Sequence, residues 1–180
     1  MPKKRTTRAK KEPKRQVNKL LHFVELLQQV LEVKVDGLYL FPFFLRSSLV
    51  QHSGQRVTRE LAELGEHIVH HVQVLTHIVS NLGGTPSDAQ APNTWSDHQE
   101  PISAMLFQEE LSGQILHECE RLLSHDWESS SQLKAWIMER LETVHTQTRE
   151  HLALFEEVFA KTEPRYRDLV LERFRVTAVP

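Results

Sequence analysis

The chain has 180 residues, 39% hydrophobic, which is enough for one domain with a real core. It carries 22 Lys+Arg, 24 Asp+Glu and 11 His, for a formal net charge of -2. One cysteine, Cys119, excludes a disulfide framework and a Cys-based zinc finger, and six Gly with no GxGxxG or GxxxxGK[ST] run argue against a nucleotide-binding α/β fold.

Residues 1–19 hold nine basic side chains (Lys3, Lys4, Arg5, Arg8, Lys10, Lys11, Lys14, Arg15 and Lys19) against Glu12 alone, a charge of +8. The remaining chain sums to -10, so a basic arm precedes an acidic body. The arm is expected to be disordered. It contains Pro2 and Pro13 but no aromatic residue, which favours phosphate contacts over stacking or base reading. No apolar h-region follows directly, so it does not read as a secretory signal. No apolar run is long enough to span a bilayer, and a lone cysteine fits a reducing, cytoplasmic compartment.

The body, residues 20–162, predicts four helices. The first shows Leu20, Val24, Leu27, Leu31 and Leu38 near 3.6-residue spacing and runs to Leu45, with a kink or break expected at Pro42. The second shows Leu61, Leu64, Ile68, Val72, Leu75, Val79 and Leu82 and stops at Gly83–Gly84. The third starts near Pro101 and shows Met105, Leu111, Ile115, Cys119 and Leu122. The fourth follows Ser129–Ser131 and shows Leu133, Ile137, Leu141, Val144, Leu152, Phe155 and Phe159, ending at Glu163–Pro164. Residues 163–180 form a C-terminal extension.

Short links join helices one and two, and three and four, which suits antiparallel neighbours. Residues 84–100 are rich in Gly, Pro, Ser, Asp and Asn. Seventeen residues reach roughly 55 Å, longer than the roughly 37 Å of a 25-residue helix. The fold class expected is therefore all-α, a four-helix bundle of ferritin-like arrangement with one long crossover between helices two and three.

Four of the histidines fall within residues 67–77. Glu66, His70, Gln73 and His77 lie within about 60° of one another on helix two. Carboxylate and imidazole at one-turn spacing can hold Zn or Fe, provided a second helix or subunit completes the ligand set. On helix four, Thr148 and His151 interrupt the apolar face near Glu150, with Glu32 and Glu110 as candidate partners for a site inside the bundle.

At these positions the chain resembles the Dps-type mini-ferritins. His71-Val-Gln73-Val-Leu-Thr-His77-Ile-Val-Ser-Asn-Leu-Gly83-Gly84-Thr-Pro is similar to the end of that family's second helix, where His-x-Asp-x-x-x-Glu-Arg leads into Leu-Gly-Gly-x-Pro. Leu38-Tyr39 followed by Arg46-Ser47 resembles the family's Leu-Tyr and His-Trp spacing, and Arg149-Glu150-His151-Leu152-Ala-Leu-Phe155-Glu resembles the end of its fourth helix. The resemblance covers residues 20–160.

The resemblance implies a homo-oligomeric cage, a dodecamer, that takes up Fe(II), oxidises it with peroxide or oxygen, stores the ferric product and protects DNA. It also implies that the arm binds DNA non-specifically. The family's ligand positions fall here on Arg46, Thr58, Ala62, Gln73 and His77, where it has His, His, Asp, Asp and Glu. The expectation is a site rebuilt between subunits, with Glu66, His70 and His77 as metal ligands, His70 and His77 as the catalytic residues, and His52 as a candidate from the partner subunit. Zn is expected to compete with Fe there. Against bacterioferritin, Glu32, His71 and His151 match three bridging positions, with Ile68 and Thr148 in place of two carboxylates. The alternatives are an architectural DNA-binding cage without ferroxidase activity and a non-cage four-helix interaction module.

Overall fold

The computed structural model describes residues 12–46, 55–86, 101–126 and 131–160. They form α1 (Glu12–Leu45), α2 (Gln55–Asn81), α3 (Pro101–Asp126) and α4 (Ser131–Ala160). Among the described residues there is no strand, and the helices make a four-helix bundle. In it α1 packs on α2 and α3, while α4 packs on α3 and α2.

Two boundaries differ from expectation. α1 begins at Glu12, so residues 12–19 belong to the helix rather than to the arm. Pro13 is no obstacle there, because a first-turn N–H has no intrahelical acceptor. α1 also passes through Pro42 and ends at Leu45. The helix does not break there: Pro42 removes a single backbone donor, and the rest of the ladder carries the helix on. Lys3, Lys4, Arg5, Arg8, Lys10 and Lys11, residues 87–100 of the segment expected to cross over, and the 163–180 extension lie outside the described residues.

Each helix buries a stripe at three- and four-residue spacing, and the stripes merge into two apolar clusters. One gathers Phe23, Leu27 and Leu31 of α1, Leu75 and Ile78 of α2, Leu116 and Leu123 of α3, and Ile137 and Leu141 of α4. The other gathers Leu40 and Phe44 of α1, Leu61 and Leu64 of α2, Met105 of α3 and Phe155 of α4. Each fully buried Leu or Phe contributes about 1.5–3 kcal/mol.

The clusters also define direction. α2 and α3 both begin in the second cluster and finish in the first, so they run parallel. α1 and α4 run the other way. Gln28 Nε2 donates to the Thr85 carbonyl at 2.8 Å, tying the middle of α1 to the chain just past the end of α2. Arg56 and Glu157 pair the start of α2 with the end of α4.

α2 stops where the sequence pattern places its end. Gly83 adopts φ +79°, a left-handed conformation that costs glycine little. Its N–H bonds Ser80 O at 3.1 Å, and the Gly84 N–H bonds Val79 O at 3.0 Å. This is the paired closure that satisfies the last carbonyls of a helix.

Candidate functional site

At one level of the bundle, between the two apolar clusters, the buried stripe of every helix turns polar. On α1 the series Leu27, Leu31 continues into Lys34, which is 1% exposed. On α2 the series Leu64, Ile68 continues into His71, which is fully buried. On α3, Gln108, Glu109 and Ser112 stand between Met105 and Leu116, and on α4 Thr148 and His151 stand between Val144 and Phe155.

Lys34, Glu109, Thr148 and His151 are joined by hydrogen bonds. Lys34 Nζ donates to Glu109 Oε2 at 2.7 Å, to Oε1 at 2.8 Å and to Thr148 Oγ1 at 3.1 Å. His151 Nδ1 lies 3.1 Å from Glu109 Oε2, and His67 Nδ1 lies 3.1 Å from His151 Nε2. His71 Nε2 lies 2.8 Å from Gln147 Oε1. The rings of His67, His71 and His151 are mutually close, with centroids 5.3, 5.6 and 6.4 Å apart.

The acceptors dictate the tautomers of neutral rings. A carboxylate only accepts, so His151 Nδ1–H donates to Glu109 and its Nε2 accepts from His67 Nδ1–H. An amide oxygen only accepts, so His71 Nε2–H donates to Gln147. That leaves His71 Nδ1 as a bare lone pair, and it is buried without a partner. Gln108 Oε1 and Ser112 Oγ are likewise buried without partners.

The electrostatics follow from burial and from the one buried ion pair. Burial alone would raise the Glu109 pKa. The Lys34 charge and the hydrogen bonds from His151 and Lys34 outweigh that effect and hold it at about 2. Burial pulls the Lys34 ammonium below its usual range, and Glu109 pulls it partly back. Burial, aided by the nearby Lys34 charge, lowers His71 to about 3, so that ring is neutral at pH 7. His67 is lowered by burial and then by His151, while Glu150, Glu63 and Glu66 at the network's outer end act in the opposite direction.

The partners inside the bundle are therefore Lys34 and Glu109, not the expected Glu32 and Glu110. Glu32 is exposed. Glu110 is half-buried, and its carboxyl is pushed up by burial and by Glu156. Thr148 and His151 do turn inward as expected, and His71 of α2 joins them. Lys34 and Glu109 escaped the sequence reading because charged residues default to the surface. The signal was their place in the apolar series.

Glu66, His70, Gln73 and His77 are all exposed on the outer face of α2. His77 packs edge-on against Trp136 of α4 at 5.4 Å. Arg46, Thr58 and Ala62 are exposed too, and His52 lies outside the described residues. Among the described residues, no three His, Cys, Asp or Glu side chains of one chain converge to hold a metal ion. Compared with known proteins, the chain matches no family model, no curated protein and no solved structure.

Proposed function

We propose that this chain is a ferritin-like protein of the Dps type. It assembles as a closed homo-oligomer, binds Fe(II) as substrate on the outer face of α2 through Glu66, His70 and His77, and contacts DNA through its basic arm. Zn(II) competes at the same ligands, because imidazole suits both ions. The place of action is cytoplasmic.

The observation that carries this reading is the outward stripe. Glu66, His70 and His77 stand exposed on one face of α2, next to Val69, an exposed apolar side chain at 45% accessibility. A second subunit laid on that face would add the ligands one chain lacks.

Helix direction supports the ferritin-like topology. α2 and α3 are parallel, the arrangement that the proposed long crossover between them requires. Fourteen residues reach about 46 Å, and α2 is about 40 Å long, so the return is feasible. Among the described residues no helix is long and apolar enough to cross a membrane.

The bundle interior does not fit a di-metal centre. Ferritin-like di-iron bundles use one Glu from each of two helices and a Glu-x-x-His pair from each of the others. Here those places hold Lys34, Glu109, Ile68 with His71, and Thr148 with His151. Only half are ligands, and an ammonium sits among them. This favours a second reading, an architectural DNA-binding cage without ferroxidase activity.

Two measurements test the proposal. Size-exclusion chromatography should give about 250 kDa for twelve 21.0 kDa subunits. A monomer or dimer would leave only the interaction module. Anaerobic Fe(II) loading followed by peroxide should then give ferric absorbance that His70→Ala/His77→Ala loses. Equal kinetics in both proteins would overturn the outer-face site, and no oxidation in either would select the architectural reading.

A further inference from the structure

The outer side of α1 carries a stripe that no neighbouring helix uses. Glu32, Asp36, Tyr39 and Phe43 follow one another at four, three and four residues, the spacing that stacks side chains on one helix face. Phe41 packs against Gly65 of α2. At 3.6 residues per turn, all four stripe residues lie roughly 140–180° round from Phe41. The stripe therefore faces away from α2 and borders α3, the other helix that α1 packs on. A Cβ on Gly37 would come 3.3 Å from Gln108 Oε1, which sets this stretch of α1 level with Gln108 of α3 and so with Phe107, its chain neighbour.

Tyr39, Phe43 and Phe107 are 45%, 61% and 41% exposed. Large apolar side chains left open at one level mark a docking surface. Next to them the Asp36 carboxyl is pushed up by burial and by Glu32, one turn away. Two acids crowded together gain from an arriving cation. The fitting occupant has apolar anchors at helical spacing and basic residues among them.

The chain supplies such a segment. Within residues 165–176, Tyr166, Leu169, Val170 and Phe174 recur at three- and four-residue spacing, and Arg165, Arg167, Arg173 and Arg175 outnumber Asp168 and Glu172. The segment follows α4, which ends at Ala160. That is the matching end of the bundle, because Phe155 of α4 packs edge-on against Phe44 of α1, with ring centroids 5.4 Å apart. Residues 161–165 reach about 17 Å when extended, and packed helix axes lie about 8–10 Å apart, so the chain leaving α4 can cross α3 to the stripe.

We propose that residues 165–176 cover the outer stripe of α1 in the same chain, with the apolar anchors on Tyr39, Phe43 and Phe107 and the arginines towards Glu32 and Asp36. The segment then straps the end of α4 to the α1–α3 face. This holds whether or not the protein binds metal or DNA.

Photo-crosslinking of the full-length chain tests it. Tyr39 is replaced by the photoreactive residue benzoylphenylalanine, and in a second protein Phe107 is, so that misfolding of one leaves the other to decide. After irradiation, denaturing electrophoresis and peptide mass mapping should show an adduct with residues 165–176 in a product of single-chain mass. Leu169→Asp/Phe174→Asp should cut its yield several-fold. Glu32→Lys/Asp36→Lys should weaken it as well, and Arg173→Glu/Arg175→Glu added to that pair should restore part of the yield. A product of twice the single-chain mass would seat a second copy on the stripe and overturn the proposal. So would a map without an adduct in 165–176, or an undiminished yield from the Asp variant.

Discussion

Lys34 Nζ and Glu109 Oε2 lie 2.7 Å apart in the centre of the bundle, with their side chains 1% and 2% exposed. They come from neighbouring helices 75 positions apart. Neither charge has water to fall back on, so the two depend on each other. Removing one partner of a buried pair typically costs about 3–5 kcal/mol, whereas replacing both with well-packed apolar groups is often close to neutral. Lys34→Met should lower the unfolding free energy read from urea titration by that order, and Lys34→Met/Glu109→Leu should recover most of the loss. A double variant as unstable as the single would show that the charges are not coupled.

Acid should weaken the fold in two stages. His71 has a native pKa of about 3 against an ordinary 6.5. Below pH 6.5 the unfolded chain takes up a proton that the native state refuses, so stability falls by about 1.4 kcal/mol per unit as pH drops towards 3. Glu109, at about 2 against an ordinary 4.5, contributes stability that is present above 4.5 and lost as pH falls towards 2. Urea midpoints at pH 7.5, 5.5 and 4.5 should decline in order. His71→Phe should flatten the upper stage, and an unchanged wild-type midpoint between pH 7.5 and 5 would refute the assignment.

Gly65 is buried in α2 against α1, and a Cβ placed there would come 2.6 Å from Phe41 Cζ. A ring cannot bend away as a flexible chain end does. Gly65→Ala should therefore destabilise by about 1–3 kcal/mol through overpacking, despite alanine's better helix propensity. Calorimetry should record a fall of about 2–4 °C per kcal/mol. Adding Phe41→Leu should restore part of it, and a stabilised Gly65→Ala would disprove the close approach.

The arm should bind nucleic acid through charge alone. Residues 1–11 carry Lys3, Lys4, Arg5, Arg8, Lys10 and Lys11. Removing them while keeping α1 should abolish the gel shift of duplex DNA at moderate salt. For the intact chain, log K should fall with log salt at a slope of about -5 if all six meet phosphates. Undiminished binding by the truncated chain would assign DNA contact elsewhere.

Much of the architecture was legible in the sequence. Gly83–Gly84, Pro101 and Ser131 are backbone signals, read without tertiary knowledge, and the structure places helix ends at or beside each. The inward histidine His151 was legible because it interrupts a strong apolar series. Lys34 was not, since a lysine at a stripe position reads equally as a surface residue snorkelling outward. Only its opposite number on another helix settles the matter, and one sequence does not reveal that pairing. Glu32 and Glu110 were the natural choices by residue type, yet the helical phase turns their neighbours inward instead.

The two apolar clusters would tolerate sliding. Leucine and isoleucine surfaces pack nearly as well after a shift of one turn, about 5.4 Å. The belt between them does not. Such a shift of α1 would carry Lys34 out of reach of Glu109 and Thr148 and strand two bare charges in the interior. The belt thus works as an alignment key, admitting one axial setting of the four rods and penalising the rest. Lys34→Met/Glu109→Leu is the variant in which that key is filed away: it should keep its helices and most of its stability, while its amide spectrum spreads into several settings where the native chain has one.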